Sequence, residues 1–227
     1  MYIYGKQVFW HLVDNHPSLI EEIYLAKEVD KKEFGKIGKL EKKIIKLDEK
    51  KAQAMARGGA HQGFLAKVTD LKLSSLDELK KQNFLVALVG VTDMGNIGSI
   101  IRSARALGVD GIILSQIKDV NFEGAVKSSS GAIFDMPLAH AINPLDMLHE
   151  LSQVGFNIIA AGLNGEESQG VKRGEKTLLL LGSEGEGLPK KVLQKANSVV
   201  TIKMHNNFDS LNVATAAAIL IDRITRE

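Results

Sequence analysis

The chain contains no cysteine. Disulfides and thiolate metal sites are therefore excluded, and the composition fits a cytoplasmic protein. No apolar run reaches about 18 residues, so no transmembrane helix and no membrane partner are expected. The opening residues, MYIYGKQVFWHLVDN, lack a basic stretch followed by an apolar one, so no secretory signal is expected. Six histidines, at 11, 16, 61, 140, 149 and 205, show no H-E-x-x-H or related spacing. On spacing alone, no metal site is expected. Charge of one sign is also scarce: 29 Lys and Arg stand against 27 Asp and Glu, a net charge of +2.

What is present suits a folded core. The 227 residues are 44% hydrophobic and 25% charged, ordinary for a globular protein of one large domain or two unequal ones. The charge is unevenly placed. Residues 1–70 carry 13 basic against 10 acidic residues, and residues 71–227 carry 16 against 17. The segment 31–51, KKEFGKIGKLEKKIIKLDEKK, holds nine lysines and four acids. Such a run reads either as a solvated helix face or as the footprint of a phosphate backbone.

The pattern changes along the chain. Residues 1–70 mix short helical patterns with strand-like runs, LIEEIYLA (19–26) and GFLAKV (63–68). The polar stretch 71–83 reads as a linker with room for one helical turn. From residue 84 onward, apolar runs alternate with helical patterns. FLVALVGV (84–91), GIILS (111–115), FNIIAAG (156–162), TLLLLG (177–182) and SVVTIKM (198–204) are continuous enough to be strands buried on both faces. Between them, 98–108, 143–155, 188–196 and the run from Ser210 have helical spacing. This alternation predicts an α/β fold with a parallel sheet covered on both sides. Ligands of such sheets bind beyond the carboxyl ends of the strands, so the loops there are the candidate site.

Three of those loops stand out. TDMGNIGS (92–99) is polar but fits neither G-x-G-x-x-G nor the P-loop. Arg102, expected one turn into the following helix, either pairs with Asp93 or meets a substrate, since a cation is disfavoured near a helix N-terminus. GSEGEGLP (182–189) has glycines that allow close backbone approach. Its Glu184 and Glu186 favour a cationic or neutral ligand over a phosphate. The third loop leads from TIKM into the alanine-rich final helix, where Ser210 is expected to cap the helix or to face a ligand.

Taken together, NIGSIIRSARALGVDGIIL (96–114), LLLGSEGEGLP (179–189) and IKMHNNFDSLNVATAAAIL (202–220) resemble, in order and spacing, the three motifs of the SpoU/TrmH branch of the SPOUT RNA methyltransferases. YGKQVFWHL (4–12) and HQGFLAKV (61–68) resemble the substrate-binding domain of its ribosomal RNA members, nearest to those that modify a guanosine of the large-subunit (23S) rRNA. The resemblance implies a trefoil knot in the parallel-sheet domain (84–227) and a small α+β RNA-binding domain (1–70). It implies S-adenosylmethionine as cofactor, RNA as partner, and a homodimer with the active site at the subunit interface. Arg102, Asn96, Glu184, Ser210 and Asn212 map onto the catalytic positions. Gly182, Ser183, Gly185, Ile202, Met204 and Leu211 map onto the cofactor-contacting region. One departure is DMGN (93–96), where Met94 stands in place of the family's frequent proline.

The implied reaction is methyl transfer to a ribose 2′-hydroxyl. It needs alignment and a route for the hydroxyl proton, and no metal. A guanidinium is permanently protonated, so the reading preferred for Arg102 is stabilisation of the oxyanion while a phosphate accepts the proton. The rival readings are the same chemistry on tRNA, a non-catalytic RNA-binding protein on the same fold, and a nucleotide- or NAD-binding α/β enzyme.

Overall fold

The computed structural model describes residues 1–118, 120–167, 173–204 and 210–226. The first part contains β1 (Tyr2–Tyr4), α1 (Lys6–Asn15), β2 (Ile20–Leu25), α2 (Lys31–Gly38), β3 (Lys43–Lys46), α3 (Glu49–Met55) and β4 (Phe64–Val68). Its four strands form a mixed sheet in the order β1-β4-β2-β3, with β2 and β3 parallel and β4 antiparallel to both its neighbours. The lysine-rich segment folds as α2, β3 and α3. Asp30 and Asp48 cap its helices, accepting from the amides of Glu33 (2.7 Å) and Lys51 (2.8 Å). Only Ile37 of α2 is buried, so its lysines lie on a solvated face.

The stretch 71–83 contains α4 (Leu76–Leu79), closed by a capping box between Ser75 and Glu78. It is not a free tether. Leu79 is wholly buried, the Ser74 amide donates to the Leu138 carbonyl (2.7 Å), and Lys80 pairs with Glu150 (2.6 Å).

The second part comprises β5 (Phe84–Val89), α5 (Met94–Ala106), β6 (Gly111–Ser115), α6 (Glu123–Ser128), β7 (Leu138–Ala141), α7 (Pro144–Gln153), β8 (Asn157–Glu167), β9 (Thr177–Gly182), α8 (Lys190–Leu193), β10 (Ser198–Thr201) and α9 (Val213–Arg226). Its six strands are all parallel, in the order β10-β8-β9-β5-β6-β7. Alternation explains why β5 reads as unbroken apolar sequence. Phe84, Val86 and Leu88 enter the core shared with α5, α6 and α9, while Leu85, Ala87 and Val89 enter the one shared with α7 and α8. On α9, Val213, Ala217, Leu220, Ile221 and Ile224 form the buried stripe that packs on α5. The strand order reverses between β5 and β9, which makes a crevice at their carboxyl ends.

The structure moves several expected boundaries. α5 begins at Met94, because Asp93 accepts from the Asn96 amide (2.7 Å) and starts the helix early. Arg102 therefore lies beyond the second turn, past the reach of the helix-start dipole. β8 runs on to Glu167, and its pairing jumps from Val199–Ala160 to Val200–Glu166. Gly165 is needed at that wrap: a Cβ there would stand 2.5 Å from the Val199 carbonyl oxygen. β10 ends at Thr201, and α8 is a single turn with Pro189 as its N-cap. β7 and α6 were not expected; LAHA is short and EGAVKS is polar.

Among the described residues no helix is long and apolar enough to cross a membrane. The two sheets share one continuous core. Across the joint Arg57 pairs with Glu123 (2.6 Å), and the Ser130 hydroxyl donates to Gln7 Oε1 (3.2 Å).

Candidate active site

Beyond the carboxyl ends of β9 and β10, against the middle of β8, lies a cavity of about 240 Å³. Ala161, Gly162 and Leu163 from the β8 wrap form one wall, and Ala216 and Leu220 of α9 form another. The floor is the turn after β9. There the Gly187 amide donates to the Ser183 carbonyl (3.0 Å) and Gly187 has φ +66°. The turn closes so tightly that a Cβ on Gly182 would stand 2.2 Å from the Gly187 carbonyl carbon. All six positions mapped to the cofactor, Gly182, Ser183, Gly185, Ile202, Met204 and Leu211, line this one cavity. The β8 wrap was missed from sequence, because nothing in the apolar run FNIIAAG marks where the strand leaves its neighbour.

At the rim three expected residues meet. Glu184 Oε1 accepts from Asn212 Nδ2 (2.6 Å), Asn96 Nδ2 (3.3 Å) and the Val213 amide (3.1 Å). Asn212 Nδ2 also donates to Asn96 Oδ1 (2.9 Å). The carboxylate thus sits on the amide end of α9, where the helix dipole stabilises a negative charge. Each side chain comes from a different motif: Asn96 from the start of α5, Glu184 from the turn after β9, Asn212 from the start of α9.

Ser210 is placed differently from the sequence expectation. It is exposed and lines the cavity, but it does not cap α9. The cap is Asn212, whose Oδ1 accepts from the amides of Ala214 (2.9 Å) and Thr215 (3.3 Å). A cap bonds two or three residues ahead, and the helix starts too late for Ser210 to reach. Arg102 is exposed on α5 and does not join the rim network. Among the described residues it has no hydrogen bond or ion pair, and Asp93 is engaged as the α5 cap, so the local pairing does not form. His205, Asn206, Asn207, Phe208 and Asp209, within the third motif, lie outside the described residues.

A parallel sheet with a cavity at its carboxyl edge, residues of three motif loops meeting at the rim, and a small mixed-sheet domain alongside together define a two-domain α/β enzyme. Residues 83–222 match the SpoU rRNA methylase family, and residues 2–74 match the substrate-binding domain of RNA 2′-O-ribose methyltransferases. The chain belongs to the SpoU family and is an RNA ribose 2′-O-methyltransferase. It is 30% identical over 190 residues to an uncharacterized tRNA/rRNA methyltransferase of Archaeoglobus fulgidus, covering 81% of this chain and 84% of the relative. It is 29% identical over 239 residues to YacO of Bacillus subtilis, which carries a provisional TrmH-family tRNA/rRNA methyltransferase name; coverage is 100% and 95%. The crystal structure of an S-adenosylmethionine-bound rRNA methyltransferase from Sinorhizobium meliloti superimposes with a TM-score of 0.83, at 25% identity, over 99% of this chain and 86% of that one.

Proposed function

We propose that the cavity binds S-adenosylmethionine and that the rim directs methyl transfer to the 2′-hydroxyl of a guanosine in large-subunit rRNA. The observation that carries this reading is the junction of Asn96, Glu184 and Asn212 at the mouth of the cavity lined by the six cofactor positions. The cavity fits the cofactor. Leu181, Val200 and Leu220 supply an apolar wall, the tight glycine turn exposes backbone groups, and the Glu184 and Glu186 carboxylates suit a cation. When bound, the cofactor supplies an activated methyl group on a sulfonium.

The chain's residues then have distinct tasks. Asn96 and Asn212 fix Glu184, and the three orient the ribose by hydrogen bonds. Ser210, on the cavity wall, faces the same ligand. Arg102 stabilises the 2′-oxyanion, while a phosphate of the RNA takes the hydroxyl proton. Such alignment is worth about 7–11 kcal/mol of barrier in favourable cases.

The reading includes a homodimer in which Arg102 serves the partner's site. Gly95, Ser99, Arg102 and Ala106 share one outer stripe of α5, and the small residues leave room for a second chain around the guanidinium. It also includes a knot. β10 is at the far edge beyond β8, yet α9 packs on α5, an arrangement that supports it. Residues 1–70 bind the RNA and residues 84–227 carry the chemistry, with 71–83 joining them, in the cytoplasm. Arg102→Ala should abolish methyl transfer while cofactor affinity and dimerisation stay near normal. Retained transfer removes Arg102 from the mechanism, and failure of the native chain to bind cofactor favours an RNA-binding protein without catalysis.

A further inference from the structure

The joint between the two sheets holds a cluster that the methyl-transfer reaction does not use. His11 lies on α1, His16 at the end of that helix, and Asp135 just after the short 3₁₀ turn Ala132–Phe134. The chain brings these groups together across 119 residues. His16 Nε2 stands 2.5 Å from Asp135 Oδ1, and His11 Nε2 stands 3.0 Å from Oδ2. The donor atoms all lie within 4.8 Å of one another. Each imidazole therefore presents its Nε2 to a different oxygen of one carboxylate.

Two further features bear on the cluster. His11 Nε2 is buried and has no hydrogen-bond partner despite its closeness to the carboxylate. Asp135 is only 20% exposed and has no Lys or Arg partner among the described residues. A mostly buried carboxylate facing two imidazole nitrogens, only one of them in a well-formed hydrogen bond, gathers three metal-binding groups in one place.

The backbone is already fixed. The His16 amide donates to the Leu12 carbonyl (2.9 Å) and the Asp135 amide to the Ala132 carbonyl (3.1 Å). Gly131, at φ +91°, leaves the His11 ring its room: a Cβ there would stand 2.8 Å from Cδ2. Asn15 Nδ2 donates to the His11 carbonyl (3.0 Å) and stands 3.3 Å from His11 Nδ1, so it borders the ring on the side away from the carboxylate.

We infer that His11, His16 and Asp135 form a site for a zinc-class divalent ion that clasps the small domain to the parallel-sheet domain. Two imidazoles and a carboxylate are the donor set that zinc accepts with a water in the fourth position. Metal–ligand bonds of about 2.0–2.2 Å place neighbouring donors roughly 3.3 Å apart, so the imidazole–carboxylate separations of 2.5 and 3.0 Å need to open by under 1 Å. Histidine spacing alone does not reveal such a site, because the third ligand comes from the other domain. The cluster shares no residue with the cavity, so its role is structural.

The test uses the full chain, stripped with a chelator and dialysed. Titration with Zn²⁺ is followed by calorimetry, elemental analysis and thermal unfolding. One ion per chain is expected, with an unfolding midpoint that rises with Zn²⁺ and falls back on chelation, since the ion binds the folded state. His16→Gln and Asp135→Asn should each lose that uptake, with far-ultraviolet circular dichroism confirming the fold. His149→Gln, on the exposed surface of α7, should retain it. Absence of uptake by the native chain, or uptake that survives both ligand substitutions, overturns the site. These readouts are independent of methyl transfer.

Discussion

Gly182 and Gly185 both line the cavity, yet the surroundings of their α-carbons differ. A side chain on Gly182 would collide with the backbone of Gly187, whereas nothing lies within 4 Å of a Cβ on Gly185. Gly182→Ala must therefore open the turn, and we expect at least a tenfold loss of S-adenosylmethionine affinity in a calorimetric titration. Gly185→Ala should bind within about threefold of the native chain, a change of under 1 kcal/mol. Equal loss in both would mean that the turn is not the cofactor floor. At this scale the motifs in the sequence brought the right residues together in space, since the six positions mapped to the cofactor share one cavity and three of those mapped to catalysis share one network. Ser210 lines the cavity, and only its expected capping of α9 fails. Choosing between it and Asn212 as cap needs the residue at which α9 starts, and a polar stretch before an alanine run leaves that open by a turn.

Among the elements, α9 depends on one side chain for two purposes. Asn212 Oδ1 caps the helix, while Nδ2 holds Asn96 and Glu184. Asn212→Ala removes both and should cost about 1 kcal/mol, or roughly 2–4 °C in unfolding midpoint for a chain of this size. Asn212→Ser restores an oxygen for the helix amides, but its single short hydroxyl cannot cap the helix and also span to both Asn96 and Glu184. It should recover the midpoint without recovering methyl transfer; recovery of both would show that the network serves only to cap. The strands β5, β6 and β9 were legible to the residue or nearly so, because both their faces are buried and their apolar runs have sharp ends. β7 was not, since four residues with a histidine carry no pattern. The extension of β8 was hidden because it follows from pairing with β10, a contact between distant segments.

For the whole molecule, composition and alternation indicated an α/β chain in two parts, but they could not indicate how the parts meet. The joint is made by Arg57 with Glu123, by Ser130 with Gln7 and by the histidine pair with Asp135, none of which has a local signature. The order of strands likewise emerges only in three dimensions, and with it the switch point that gathers the motif loops. The most direct measurement incubates the full chain with S-adenosylmethionine labelled at its methyl group and total RNA from cells lacking the gene, followed by nuclease digestion and mass mapping. The account predicts label on the ribose of one guanosine of the large-subunit rRNA, and none with Arg102→Ala. Label on a base, label confined to tRNA, or labelling undiminished by the substitution would contradict it.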